Sequence, residues 1–302
     1  MAAVTAPVRP GTGLRRRKVR NRALWSGCVL ALALVVAPVV WIVVGVVGRA
    51  VAHFHVSILT TYPLGNGGGL LNSIEGTAVI VVGVLVLAGS VGIAGGVFLA
   101  EYTRADGGGF LRGASEVLSG VPSIVLGYVG YVVLVVRFHW GYSVVAGVVV
   151  LSILVVPYIV KTTEVALRNV PTNYREGGEA LGMSSGATLR RLVLRPALPG
   201  ITTGLILALA ISVGETAPLL YTAGYSSRSP TLGVHDSPIG YLTYNVWTDF
   251  NQPSTLAHQR ANDAALLLIL VVLALIVVAR VVVMTTQRHS PDRPQRTGRA
   301  RP

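Results

Sequence analysis

The feature that most constrains this chain is a series of long segments that contain almost no charged residues. A helix that crosses a bilayer needs about 20 consecutive, mostly apolar residues. Only 12% of the residues are charged, whereas a typical soluble domain carries about 25%, so polar residues are too few to coat a soluble globule. The sequence therefore predicts six membrane spans, at residues 23–48, 76–100, 117–136, 138–160, 196–227 and 264–279, the last continued to 284.

These spans predict an all-α fold, a polytopic helical bundle in the membrane. Strands of a membrane barrel would show about ten residues of alternating polarity, and the apolar runs of this chain do not alternate. We expect a basic N-terminal tail at residues 1–22, a six-span domain at 23–286 with a long loop at 161–195, and a disordered tail at 287–302. The first span is longer than the apolar region of a signal peptide, so we expect it to be retained as an anchor.

The distribution of basic residues predicts the orientation. With six spans both termini lie on one side, and that side collects 21 of the 25 Lys and Arg residues, leaving Arg49, Arg137, Arg228 and Arg260 on the other. The positive-inside rule then places both termini and the 161–195 loop in the cytoplasm. The basic residues are clustered next to apolar segments, and this arrangement favours contact with anionic lipid over a nucleic-acid interface.

Several kinds of chemistry are missing from the sequence. The only lysines, Lys18 and Lys161, follow Arg17 and Val160, so the chain has no Gly-Lys-Ser/Thr phosphate loop and cannot be a P-loop ATPase itself. The only closely spaced histidines, in the His53-x-His55 motif, are more typical of a solvated loop than of a metal site. Cys28 is the only cysteine, which excludes a disulfide scaffold. We therefore expect no catalytic residue, no metal and no cofactor.

The loop at 161–195 contains a pattern typical of a short capped helix. Asn173 lies three residues before Glu176, as an N-cap does, and Gly182 suits the position just after a helix. A second helical stretch is predicted from Ser184 or Ser185 to Leu194. The small residues of the first helix, Gly177, Gly178 and Ala180, suit insertion into a partner's groove, but an interfacial helix that merely joins two spans fits equally well.

A carboxylate and a proline lie together in the fifth predicted span. A charged residue inside a span is costly and by default indicates function, and Pro218, three residues after Glu215, frees a backbone carbonyl near it. The alternative is that the carboxyl group of Glu215 bonds to a neighbouring helix and only serves packing. Glycines Gly92, Gly96, Gly127 and Gly130 are expected to allow close contact between helices.

Several segments of the sequence resemble known permease motifs. Glu176-Gly177-Gly178, followed after three residues by Gly182, is similar to the EAA motif of ABC-importer permeases, although two glycines replace the alanines and Arg195 stands where a proline is usual. Pro199-Gly200 matches a second proline of phosphate-type members. Gly214 to Leu220 (Gly-Glu-Thr-Ala-Pro-Leu-Leu), Ser119 to Val125 and Ala100-Glu101-Tyr102 resemble blocks of the A-type permease of bacterial phosphate-specific ABC importers.

The resemblance implies a type I ABC-importer permease fold in the bacterial plasma membrane, and a transport subunit that is not an enzyme. It implies inward transport of inorganic phosphate with a second, similar permease, two ATPase subunits and an extracytoplasmic phosphate-binding protein. The residues implied in coupling to the ATPase are Arg175, Glu176, Gly177, Gly178 and Gly182. Those implied in the substrate pathway are Pro122, Ser123, Glu215, Thr216 and Pro218.

Two alternatives remain open at this point. Phosphate permeases of this type often carry an arginine four residues before the glutamate, and here that residue is Ile211. This departure favours an ABC permease for another oxyanion or small solute. An ATP-independent secondary transporter or channel, which would need no ATPase partner, is the second alternative.

Overall fold

The computed structural model describes residues 12–65, 67–103 and 108–287 and is predominantly α-helical over them. Five of the described helices are long and apolar enough to span a membrane, and counting one bent pair of helices as a span brings the number to six. The predicted all-helical bundle is therefore confirmed, although several predicted span bounds are wrong. Residues 288–302 of the tail predicted to be disordered lie outside the described residues, as does the N-terminal segment 1–11.

The chain divides into two units, residues 1–52 and 53–302. In the first unit the structure describes helix α1, Thr12–His53, which ends one residue beyond the unit. This helix has 42 residues, about 63 Å at 1.5 Å per residue, which exceeds the thickness of a bilayer core. The predicted basic tail from Thr12 onward is therefore part of the same continuous helix as the first predicted span.

The second unit contains the remaining described elements. Its elements are the 3₁₀ turn Val56–Leu59, strands β1 Pro63–Leu64 and β2 Gly67–Gly68, and the helices α2 Leu71–Val97, α3 Gly109–Ser119, α4 Ser123–Gly130, α5 Val144–Arg168, α6 Asn173–Ala180, α7 Ser185–Thr188, α8 Leu194–Gly214, α9 Ala217–Thr222, α10 Leu242–Phe250 and α11 Thr255–Gln287. Three π-helical segments, Phe98–Tyr102, Tyr131–Arg137 and Leu189–Val193, extend α2, extend α4 and precede α8.

Helices α2, α5 and α8 form the centre of this unit. Their largest buried cluster includes Val84 of α2, Leu151 and Val155 of α5, and Leu209 of α8. The predicted role of the small residues of α2 is confirmed: a Cβ atom added to Gly92 would lie 2.6 Å from the Cβ atom of Ile159 on α5, and the same addition at Gly96, one turn further on, would meet Thr163. These glycines therefore let the two backbones approach closely.

The third predicted span, 117–136, is not one continuous helix. Helix α3 ends at Ser119, α4 begins at Ser123, and the two are bent by 96°. Pro122 has no N–H group to donate and disfavours helical geometry at Val121, so the helix breaks before it. As a result α3 lies across the end of α5, where Arg112 pairs with Glu164 and Glu116 with Lys161.

The fourth and fifth predicted spans have the wrong bounds. Helix α5 begins at Val144 rather than at residue 138, because Ser143 caps it by accepting a hydrogen bond from the N–H of Ala146. The helix that contains α8 begins at Ser185, runs through the π-helical segment and ends at Gly214. The predicted second loop helix and the fifth span are therefore one helix, and it stops well before residue 227.

The last span also begins earlier than predicted, at Thr255 instead of residue 264. This places Arg260 inside α11, where its guanidinium group makes a two-pronged ion pair with Asp249 of α10 at 2.7 Å for both contacts. Arg260 also donates to the carbonyl of Gly67 at 2.8 Å, which ties the β1–β2 hairpin to α11. A charge can lie in this helix because its partner is buried with it.

Candidate coupling and permeation sites

Helix α6 is the structural counterpart of the predicted loop helix. It spans Asn173–Ala180, and the preceding residue Thr172 occupies the N-cap position without a side-chain cap. The prediction that Asn173 is the N-cap is therefore wrong, since Asn173 is the first helical residue. At the other end Gly182 has a φ of +69°, its N–H bonds to the carbonyl of Glu179 and the N–H of Met183 bonds to the carbonyl of Gly178. These two bonds form a Schellman motif, which confirms Gly182 as the helix stop.

The small residues of α6 do not all lie on one free face. Gly178 is buried, and a Cβ atom there would lie 2.5 Å from the Oγ1 atom of Thr188 on α7. A Cβ atom at Gly177 would meet nothing within 4 Å. Glu176, Gly177, Ala180 and Gly182 are exposed, as is 79% of Leu181. The surface that α6 offers to a partner therefore excludes Gly178, which packs within the chain.

Arg175 points towards the bundle rather than to the exposed face of α6. Its Nη2 atom lies 2.5 Å from Oε1 of Glu101, and its guanidinium group also donates to the carbonyls of Leu167 at 3.0 Å and Val170 at 3.1 Å. These contacts hold α6 against the ends of α2 and α5. Arg175 therefore attaches α6 to the bundle, and its predicted role in coupling stays a prediction.

Glu215 lies in a break between two helices and not inside one. Helix α8 ends at Gly214, Glu215 is extended with φ −75° and ψ 129°, and α9 begins at Ala217. Pro218 occupies the first turn of α9, where a missing N–H group costs no hydrogen bond. The backbone carbonyl of Glu215 accepts a bond from the hydroxyl of Thr243 at 3.1 Å.

The side chain of Glu215 is half-buried. Within the described residues its carboxylate has neither an ion-pair partner nor a hydrogen-bond partner. The packing interpretation required a bond from this carboxyl group to a neighbouring helix, and the described part of the chain provides none. Ile211, one turn earlier, packs against the main buried cluster.

The two groups of predicted pathway residues lie on helices that touch. A Cβ atom at Gly127 of α4 would lie 2.8 Å from the Cα atom of Pro218 on α9. Pro122 and Ser123 precede Gly127 by about one turn at the start of α4, and Glu215 and Thr216 precede Pro218 directly. Among these pathway residues Pro122 is exposed, Ser123 and Thr216 are half-buried, and Pro218 is buried.

Comparison with known proteins places these features in a family. The sequence profile of the family described as "Binding-protein-dependent transport system inner membrane component" matches residues 92–290. The chain belongs to this family. The matched range includes both α6 and the break at Glu215, and it excludes α1.

Individual members of the family are similar over most of the chain. The chain is 55% identical over 253 residues to "Phosphate transport system permease protein PstA 2" of Mycobacterium bovis, which covers 84% of each sequence. It is 34% identical over 216 residues to the PstA permease of Yersinia pestis, covering 68% of this chain and 71% of the relative. An inward-facing structure of the MetNI methionine ABC transporter covers 72% of this chain and 94% of its own with a TM-score of 0.55 at 20% identity, which establishes the ABC-importer permease fold.

Two features of this family member were not found by sequence reasoning. One is the ion pair between Arg175 and Glu101, whose partners are 74 residues apart. The other is a group of tyrosines at the α4–α9 contact, where Tyr128 meets Tyr221 edge-on with ring centroids 6.2 Å apart. The tyrosines could have been noticed as polar-tipped aromatics within apolar segments, but no local pattern pairs Arg175 with Glu101.

Proposed function

We propose that this chain is one permease subunit of an ABC importer for inorganic phosphate. The 55% identity to a phosphate transport permease over 84% of the chain is the observation that carries this proposal. The chain would pair with a second, similar permease, two ATPase subunits and an extracytoplasmic phosphate-binding protein. ATP hydrolysis would belong to the ATPase subunits, because the chain has no phosphate loop of its own.

In this proposal α6 is the coupling helix. Its exposed residues Glu176, Gly177 and Leu181 would meet the ATPase, and closure of the ATPase subunits on ATP would move α6. The bundle would then alternate between outward and inward access, with phosphate passing near α4, α9 and the break at Glu215. Transporters often bind their substrates where a span is broken in this way.

The proposed orientation puts both termini and α6 in the cytoplasm. Ion pairs support it because they gather the predicted cytoplasmic charges at one end of the bundle: Arg112 with Glu164, Lys161 with Glu116, and Arg175 with Glu101. This end, which carries Arg112, Lys161, Arg168 and Arg175, is called the basic end below. The positive-inside rule assigns such an end to the cytoplasm.

An importer of another oxyanion is the second candidate, and Ile211 favours it. An apolar residue at that position, in the last turns of α8, leaves the carboxylate of Glu215 without a cation four residues before it. If the substrate is phosphate, the partner permease would have to supply the positive charge. Glu215 would then pair with that cation in one of the two access states.

The test is transport by the complete complex in proteoliposomes. We expect ATP-dependent uptake of radioactive phosphate that requires the binding protein and is not competed by sulfate or molybdate. Uptake of another oxyanion in place of phosphate would favour the second candidate. Uptake without ATP or without the ATPase subunits would contradict an ABC importer altogether and favour a secondary transporter or channel.

A further inference from the structure

The end of α2 is a meeting point of four elements at the basic end. Its last turn is the π-helical segment Phe98–Tyr102, and the final carbonyls of any helix lack partners within it. The carbonyl of Leu99 accepts bonds from the Oγ1 of Thr103 at 2.7 Å, from Arg112 of α3 at 3.3 Å and from Arg168 of α5 at 3.3 Å. A π-helical turn is uncommon and often marks a functional position in a helix.

The fourth element is α6, which reaches the same turn through Arg175. The guanidinium group meets the carboxylate of Glu101 with both prongs, at 2.5 Å and 3.3 Å. Only 16% of the Glu101 side chain and 26% of the Arg175 side chain are exposed. A two-pronged, largely shielded pair of this kind fixes orientation as well as distance.

A buried carboxylate joins α3 and α5 beside this pair. Glu164 is only 5% exposed and accepts bonds from Arg112 at 2.8 Å and from Arg168 at 3.0 Å. The same two arginines bond to the carbonyl of Leu99. A displacement of the α2 end is therefore passed to both α3 and α5.

Helix α6 has a second attachment, which leads elsewhere. Gly178 packs on Thr188, and α7 continues into α8 through the π-helical segment Leu189–Val193. A movement of α6 therefore reaches α8 through covalent continuity and packing. It reaches α2 through the pair of Arg175 and Glu101.

We propose that Glu101 and Arg175 are the joint through which movement of α6 is transmitted to α2, and from there to α3 and α5. In this proposal both act as positioning residues, which hold α6 against the end of α2. The inference rests on the proposed function, because it names the residues that carry coupling within that mechanism. Loss of the joint leaves α6 attached to α8 by packing and to α5 through the short link at residues 169–172, but removes the ion pair that ties it to the end of α2.

The experiment is a double-mutant cycle on the complete complex in proteoliposomes. Glu101→Ala, Arg175→Ala and the double variant are compared for phosphate uptake per ATP hydrolysed, at equal amounts of assembled complex. We expect each single change to lower this ratio about tenfold, equivalent to about 1.4 kcal/mol. The double change should lower it no further than Arg175→Ala does, because the pair with Glu101 is already lost in that variant. Single variants with the same uptake per ATP as wild type would overturn the proposal. A double variant whose uptake per ATP is about a hundredfold lower than wild type would also overturn it.

The exposed pair of Lys161 and Glu116 serves as the matched control. It lies at the same end of the bundle at 3.6 Å, with 59% and 70% of the side chains exposed, so it should contribute little. Lys161→Ala and Glu116→Ala are expected to leave uptake per ATP unchanged. A fall as large as that of the Glu101 variant would indicate a general effect of charge and would contradict the joint.

Conservative variants keep the test decisive if the alanine variants assemble poorly. Glu101→Gln keeps the shape and an acceptor oxygen, and Arg175→Lys keeps the charge but loses the two-pronged geometry. Both are expected to lower uptake per ATP in the complex that does assemble, by less than alanine. A merely structural pair would reduce the amount of complex and leave the ratio at the wild-type value, which would overturn the inference.

Failure of the proposed function gives a different result. In that case the wild-type complex itself shows no ATP-dependent phosphate uptake. If it still hydrolyses ATP in response to the binding protein, the same variants are compared for the degree of stimulation. A stimulation equal to wild type in the Glu101 and Arg175 variants would then reject the joint.

Discussion

Adding one methyl group at Gly178 should loosen α6, whereas the same change at the neighbouring Gly177 should tighten it. A Cβ atom at Gly178 would lie 2.5 Å from Oγ1, 2.7 Å from Cγ2 and 3.1 Å from Cβ of Thr188. Thr188 is only 4% exposed, so its side chain has little room to give way. At Gly177 no atom lies within 4 Å of the added Cβ.

The magnitudes follow from two opposing terms. Replacing a helical glycine by alanine stabilises the helix by about 0.5–1 kcal/mol. Overpacking a tight contact costs about 1–3 kcal/mol. Gly177→Ala should therefore gain about 0.5–1 kcal/mol, and Gly178→Ala should lose roughly 1 kcal/mol after the helical gain is subtracted.

Hydrogen exchange of the α6 amides measures this local stability directly. With RT of about 0.6 kcal/mol, the expected changes correspond to exchange that is about 2–5 times slower in Gly177→Ala and roughly 5 times faster in Gly178→Ala. Thr188→Ala combined with Gly178→Ala removes the two nearest atoms and should restore most of the protection. Equal slowing in both single variants, or no rescue by Thr188→Ala, would refute the packing argument.

Three further predictions concern transport and topology. Glu215→Gln should stop uptake while the complex still assembles, and Glu215→Asp should be intermediate. The reason is that losing a charge pair worth about 1.4 kcal/mol shifts the populations of the two access states tenfold. Wild-type uptake by Glu215→Gln at equal abundance of the complex would leave Glu215 a packing residue. Gly182→Leu should uncouple uptake from ATP hydrolysis, because φ is +69° there and a side chain in that conformation costs about 1–2 kcal/mol. Gly186→Leu, with equally open surroundings, is the control, and full coupling in Gly182→Leu would contradict the prediction. In a background without Cys28, Ser185→Cys should be labelled only from the cytoplasm, and labelling from outside would reverse the topology.

The sequence by itself determined the class of fold, because lipid provides no partners for backbone groups. Every long charge-free segment has to satisfy its own hydrogen bonds, and helices do so within the segment. The end of α6 was equally local: only glycine adopts the left-handed conformation readily, and Gly182 has it. The break before Pro122 also has a local cause, because proline has no backbone N–H group to donate. The apolar run around Pro122 nevertheless favours a continuous span.

The tertiary structure alone decided where the last span begins and which charges meet. Helix α11 includes Arg260 because Asp249, from a different helix, is buried beside it. Gly178 and Gly177 are identical in sequence terms, and only the position of Thr188 separates their roles. Arg175 and Glu101 lie 74 residues apart, and their pairing depends on how three helices end at one place. Such contacts join residues distant in the chain, so no local pattern of apolar and polar residues encodes them.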